Sequence, residues 1–217
     1  VKILLTGDSI TAALRDPGDP SDLGDGYVAR VAEALPGHEV LNTGLNGHKV
    51  PDLQERWQRD VLAHRPDLLS VMIGINDTWH AHFGGLGRRL VNGLARLSGG
   101  GTAGTTHEAY EAGYREILDR TRAAGINRLV LLEPFLVPVD DGQVRMLADL
   151  EEKMRIVRRL ADEYDALFVP LHDAFTTAAQ ERDPAELVID GVHPATAGHD
   201  LIAKQWLSVV GVEGVHE

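Results

Sequence analysis

Five short apolar runs recur along the chain at wide intervals: Lys2–Thr6, Glu39–Asn42, Leu68–Ile73, Arg128–Glu133 and Leu167–Pro170. Each is rich in Val, Leu or Ile, as strands buried on both faces tend to be. Between them the period lengthens. Tyr110, Tyr114, Ile117 and Leu118 recur at helical spacing, and so do Met146, Leu147, Leu150, Met154, Val157, Leu160, Ala161 and Tyr164. A last helix is expected to begin near Pro194, with the proline in its first turn, and to run through Trp206. Strands alternating with helices predict a parallel sheet covered on both sides, a three-layer α/β/α domain. There is no internal repeat and no linker, so residues 1–217 are expected to form one domain. One stretch breaks the rhythm. From Phe83 to Thr106 an amphipathic piece (Leu86, Leu90, Val91, Leu94, Leu97) lies between Gly84-Gly85 and Gly99-Gly100-Gly101. An insert after a strand's C-terminal end is placed to serve as a lid, a subunit contact or a plain surface excursion.

Composition narrows the function classes. A chain of 217 residues buries roughly 70% of the surface that its unfolded form exposes. With 43% apolar and 25% charged residues it reads as globular, and no apolar stretch approaches the ~18 residues of a membrane helix. The formal charge is −12, which disfavours nucleic acid, anionic membranes and polyanionic substrates. A neutral or cationic small molecule is the expected partner. The absence of cysteine removes disulfides and thiol chemistry. It suits the cytoplasm, the expected location, and is compatible with secretion as well.

The candidate chemistry lies at the two ends of the chain. Gly7-Asp8-Ser9 closes the first apolar run, and Asp190-Gly191-Val192-His193-Pro194 stands near the C-terminus. A serine nucleophile needs a base for its proton, and the base needs a carboxylate to fix its tautomer. Asp190 and His193 are close enough for one loop to present both. Taken alone, Asp8 and Ser9 also suit a helix N-cap. His80 and His82 are spaced two apart, which places ligands on one face only in a strand, so no metal or other cofactor is expected. His48 reads as a loop histidine and His199 as part of the last helix.

Two further blocks change the weight of these signals. Asn42-Thr43-Gly44-Leu45-Asn46-Gly47-His48 follows the second apolar run, and Gly74-Ile75-Asn76-Asp77-Thr78-Trp79 follows the third. The ordered set resembles the SGNH (GDSL) hydrolase superfamily, and the resemblance spans essentially the whole chain. It implies Ser9 as nucleophile, His193 as general base and Asp190 as the carboxylate that orients it. It also implies an oxyanion hole made of the Ser9 and Gly47 backbone N–H groups and the Asn76 amide. The implied fold is a flavodoxin-like sandwich with a five-stranded parallel sheet in the order 2-1-3-4-5. Longer stretches, among them Arg56-Trp57-Gln58-Arg59-Asp60-Val61 and Val192-His193-Pro194-Ala195-Thr196-Ala197-Gly198-His199, look like the bacterial acetylxylan-esterase branch. Relatives there tend to carry an aromatic where this chain has Ile189. The expected activity is therefore hydrolysis of small acyl esters, acetyl above all, on xylo-oligosaccharides or related sugars through an acyl-serine. Trp79 is a candidate wall for the acyl group or the sugar. A lysophospholipase or thioesterase of the same superfamily is one alternative, and a non-catalytic flavodoxin-like ligand-binding module is another. The insert and the resemblance are compatible with a homo-oligomer.

Overall fold

The computed structural model describes residues 1–83 and 104–211. In chain order the elements are β1 (Lys2–Gly7), α1 (Ser9–Ala12), α2 (Tyr27–Ala34), β2 (Glu39–Asn42), α3 (Val50–Asp60), β3 (Leu68–Met72) and α4 (Ile75–Phe83). There follow α5 (His107–Ala123), β4 (Arg128–Leu132), α6 (Asp141–Val144), α7 (Leu147–Glu163), β5 (Leu167–Val169), α8 (His172–Glu181), α9 (Pro184–Leu187) and α10 (Thr196–Val210). The strands form one parallel sheet in the order β2-β1-β3-β4-β5. All five expected strands are present, with ends within a residue or so of those read from the sequence.

Alternate residues of each central strand feed two different cores. Ile3 and Leu5, Leu68 and Met72, and Val130 and Leu132 pack with Val28 and Val31 of α2 and with Ile202 and Trp206 of α10. Leu4, Leu69, Val71, Leu129 and Leu131 pack with Leu53 and Trp57 of α3, Ile117 of α5 and Leu160 of α7. Both sheet faces are therefore covered, which explains why the strands read as continuous apolar runs. Both core tryptophans place their indole N–H on a hydroxyl in this interior. Trp206 Nε1 donates to Ser70 Oγ on β3 at 3.0 Å, and Trp57 Nε1 donates to Thr121 Oγ1 at 3.0 Å.

The register sets the functional edge. Leu5 lies opposite Asn42 and Gly7 opposite Met72, so β1, β2 and β3 end at nearly the same level. The segments leaving them carry Ser9, Gly47 and Asn76. The last helix starts later than the sequence suggests. Pro194 sits in an antiparallel bridge with Val188, Ala195 is the N-cap, and the helix begins at Thr196. The Ile189 N–H donates to the His193 carbonyl at 2.8 Å, closing the loop that carries Asp190 and His193 before the helix can start. Most of the expected 83–106 insert lies outside the described residues. Its C-terminal end is fixed by the Thr105 N–H, which donates to the Asp77 carbonyl at 3.3 Å, and by Thr106, whose hydroxyl caps α5.

Candidate active site

Asp8 follows the first strand and caps α1. Its carboxylate accepts the Ile10 N–H at 3.0 Å, so Ser9 becomes the first helical residue and its own N–H is left for another acceptor. Asp8 is 1% exposed, and burial pushes its carboxyl up to about 6, against smaller pulls from the Ile10 amide and the charge of His193. The N-cap reading and the nucleophile reading of this turn thus fall on adjacent residues and do not compete.

Some 180 residues later the loop between α9 and α10 returns to the same place. Ser9 Oγ lies 3.0 Å from His193 Nε2, and His193 Nδ1 lies 2.7 Å from Asp190 Oδ2. The other oxygen of Asp190 accepts the backbone N–H groups of His193 at 2.9 Å and Val192 at 3.2 Å. With a carboxylate at Nδ1, the ring proton belongs there and Nε2 is an acceptor for the serine hydroxyl. Burial opposes ionisation of Asp190, but the backbone and side-chain bonds from His193 outweigh it and hold the carboxyl below its usual range. The His193 and Asp190 side chains are 46% and 50% exposed, so this part of the site is open to solvent.

The Asp190 turn is braced by a residue for which the sequence carries no signal. Gln143, 3% exposed, donates from Nε2 to the Asp190 carbonyl at 2.7 Å and accepts the Val139 N–H at Oε1 at 2.9 Å. Gly191 has φ +92°, and a side chain there would collide with Gln143. The Val137 N–H adds a bond to the Gly191 carbonyl at 3.0 Å. The segment after β4 thus holds the turn from beneath.

Two further segments leave the same sheet edge, after β2 and after β3. The β2 segment is tied to the first strand by Thr43 N–H to Leu5 O at 2.9 Å and Leu45 N–H to Gly7 O at 3.1 Å. Asn42, fully buried, bonds the Thr11 and Leu23 carbonyls at 2.8 and 2.9 Å and accepts the Gly44 N–H at 2.9 Å. Gly47 has φ +76°, a backbone state that glycine adopts without a Cβ penalty. Asn76 Nδ2 donates one hydrogen to the His48 carbonyl at 3.1 Å, leaving the second for another acceptor. Its neighbour Asp77 is fully buried. It accepts the Val50 N–H at 3.3–3.4 Å, and burial pushes its carboxyl up to about 7. Asp77 ties the start of α3 to α4 and so fixes where Asn76 stands.

The remaining candidates are placed as follows. Trp79 is half-buried and packs against the core on the α2–α10 side. His80 and His82 lie on α4, where residues two apart face different ways, and His82 Nδ1 bonds the Thr78 carbonyl at 3.2 Å. Among the described residues no group of three or more His, Cys, Asp or Glu side chains is placed to hold a metal, and no helix is long and apolar enough to cross a membrane. His199 accepts the Tyr27 N–H at 3.2 Å, and burial pushes its ring down to about 4.

A serine–histidine–aspartate chain of this kind is an arrangement for acyl transfer. The family model of the GDSL-like lipase/acylhydrolase family matches residues 5–201. The chain belongs to that family. It is a hydrolase of carboxylic esters. It is 34% identical to an acetylxylan esterase from Geobacillus stearothermophilus over 99% of this chain and 95% of that protein. A solved mutant of an acetyl-xylooligosaccharide esterase from the same organism superposes with a TM-score of 0.81 at 33% identity, covering 97% of this chain and 94% of that one. An alpha/beta hydrolase from the metagenome of Lake Arreo, Spain, superposes with a TM-score of 0.79 at 32% identity, covering 97% and 95%. Catalytic mutants of the Geobacillus enzyme have been solved with a serine, an aspartate or a histidine replaced by alanine.

Proposed function

We propose that this chain removes acetyl groups from acetylated xylo-oligosaccharides or closely related sugars through an acyl-serine intermediate. The observation that carries the reading is the continuous chain Ser9 Oγ–His193 Nε2–Asp190 at 3.0 and 2.7 Å. In the proposed reaction His193 takes the Ser9 proton as Oγ attacks the ester carbonyl. The Ser9 N–H, the Gly47 N–H and the Asn76 amide receive the oxyanion. Donors held in place before reaction stabilise that charge without having to reorganise. Protonated His193 then donates to the departing sugar hydroxyl, and afterwards takes a proton from the water that releases acetate. Asp190 holds the ring through one bond, accepts two backbone N–H groups of its own turn with the other oxygen, and stabilises the cationic form of the imidazole.

Three features support the substrate side of this reading. The acidic surface leaves neutral sugars unopposed while repelling polyanions. Trp79 stands one helical turn after Asn76 and is half-buried, which suits an aromatic wall for a small acyl group or a sugar ring. The relatives named for acetylated xylan match along nearly their whole length. Initial rates on p-nitrophenyl acetate, butyrate and octanoate, beside acetate release from acetylated xylo-oligosaccharide, test it. Acetate preference and oligosaccharide deacetylation, both lost in Ser9→Ala, are expected. Octanoate preference would move the substrate to lipids or thioesters, and full activity in Ser9→Ala would remove the mechanism.

A further inference from the structure

The Arg56-Trp57 pair stands out in the sequence, and the reaction above uses neither residue. Trp57 is core, wholly buried between α3 and α5. Arg56 is also buried, 5% exposed, but its side chain runs beneath the candidate site. A guanidinium offers five donors in one rigid plane, and four hydrogen bonds are made here. Nη2 donates to the Gly7 carbonyl at 2.9 Å. Nη1 donates to the Thr43 carbonyl at 2.6 Å and to Asp60 Oδ2 at 3.1 Å. Nε donates to His48 Nδ1 at 3.1 Å.

Those acceptors sit on the segments that carry the oxyanion donors. Gly7 lies two residues before Ser9. Thr43 opens the loop that leads to Gly47, and His48 closes it. The His48 carbonyl in turn accepts from Asn76 Nδ2 at 3.1 Å. One side chain therefore bonds two of the three donor segments directly and reaches the third through His48. We propose that Arg56 is a positioning residue that sets the spacing of the Ser9, Gly47 and Asn76 donors. This inference rests on the serine-esterase reading above.

Three physical points support it. Oxyanion donors act only when held about 2.7–3.1 Å from the charge that develops, so relative placement of the three segments is decisive. A buried guanidinium carries a desolvation penalty that an apolar side chain packed in the same space would avoid, and Asp60 is its nearest counter-charge. Bonding two backbone carbonyls and an imidazole nitrogen at once requires the planar fork, which the point charge of lysine does not reproduce. His48 must accept at Nδ1, which needs a neutral ring. Burial and then the Arg56 charge push its pKa down and keep it so.

The test is Arg56→Lys, alone and in an Asn76→Ala background. Arg56→Lys is expected to lower kcat on p-nitrophenyl acetate about 10²-fold, as misplacement of reacting groups by about 1 Å does, with KM within about threefold. In the Asn76→Ala background the same substitution should cost less than about tenfold, because one of the donors it aligns is gone and the effects are coupled. Wild-type turnover in Arg56→Lys overturns the proposal. So do losses that multiply fully across the two backgrounds, since these would mark a role in the fold alone. If Arg56→Lys does not fold, His48→Ala takes its place in the same cycle, with an expected kcat loss of about tenfold and the same requirement for coupling. Ser9→Ala assayed alongside separates the two readings. Activity surviving in Ser9→Ala removes the esterase reading and this one together, whereas a silent Ser9→Ala beside a fully active Arg56→Lys removes only the role of Arg56.

Discussion

Asp8→Asn is expected to stabilise the protein at pH 8 and to do so much less at pH 4. The side chain is wholly buried beside Ser9, and its carboxyl titrates at about 6 in the fold against an ordinary value of 3.8. The folded state therefore keeps a proton that the unfolded chain gives up, and stability is lost as pH rises through that window. Once both states are ionised, the loss amounts to about 3 kcal/mol at about 1.4 kcal/mol for each pKa unit. At pH 4 the unfolded carboxyl is only about 60% ionised, and the loss is under about 1 kcal/mol. Asparagine keeps the oxygen that accepts the Ile10 N–H and removes the charge. Its new NH2 group adds a buried donor that costs about 1–3 kcal/mol if unpaired, but that cost is the same at both pH values. The quantity to measure is the change, from pH 4 to pH 8, in the stability difference between variant and wild type. Urea unfolding at each pH measures it directly. An increase of about 2 kcal/mol is expected, equivalent near the melting temperature to roughly 4–8 °C for a chain of this size. A stability difference that is equal at the two pH values would refute the assignment of a buried, reluctantly ionised carboxyl at this position. The charge has a use to set against its cost. It attracts the cationic form of His193, so the stabilised variant should turn over more slowly at pH 8.

Two further outcomes follow from the geometry. Asn76→Ala should lower kcat by about 10²–10³ with a folded protein and little change in KM, as loss of one oxyanion donor does; steady-state kinetics beside a melting curve measure both. Gln143→Leu should cost about 1–3 kcal/mol in urea unfolding, because the Asp190 carbonyl and the Val139 N–H lose their partner. It should also lower kcat about tenfold by loosening the turn that presents the aspartate, and wild-type kinetics in this variant would show that the Gln143 bonds hold the loop without bearing on the rate.

The sheet was legible in the sequence because its strands are buried on both faces and so appear as uninterrupted Val, Leu and Ile runs. Their ends were less so. The start of α10 was misplaced by about two residues because Pro194 suits a helical first turn locally, whereas its actual role is a bridge to Val188, a contact that only the folded loop defines. Ser9, Asp190 and His193 were marked by the ordered blocks that resemble the SGNH superfamily, since the Gly7-Asp8-Ser9 turn alone suits a helix cap as well, and the fold brings the three side chains together. Gln143 was not, since an isolated glutamine in a polar loop has no period, motif or reactivity to mark it. Arg56 fell between the two. Its neighbourhood looked distinctive, but helical spacing alone does not reveal that its guanidinium turns under the sheet edge towards Gly7 and Thr43.

The groups assembled around Ser9 have two unlike supports. Ser9, Gly47 and Asn76 leave the ends of three adjacent, largely buried strands, whereas Asp190 and His193 ride on the loop between α9 and α10 with their side chains half-exposed. Segments with few buried contacts open locally at a lower free energy than the core to which they are attached. Warming should therefore lift the histidine away while the sheet is still intact, leaving a native-looking protein with its serine unassisted. Activity would then fade at temperatures where spectroscopic melting has not begun, and cooling would restore it.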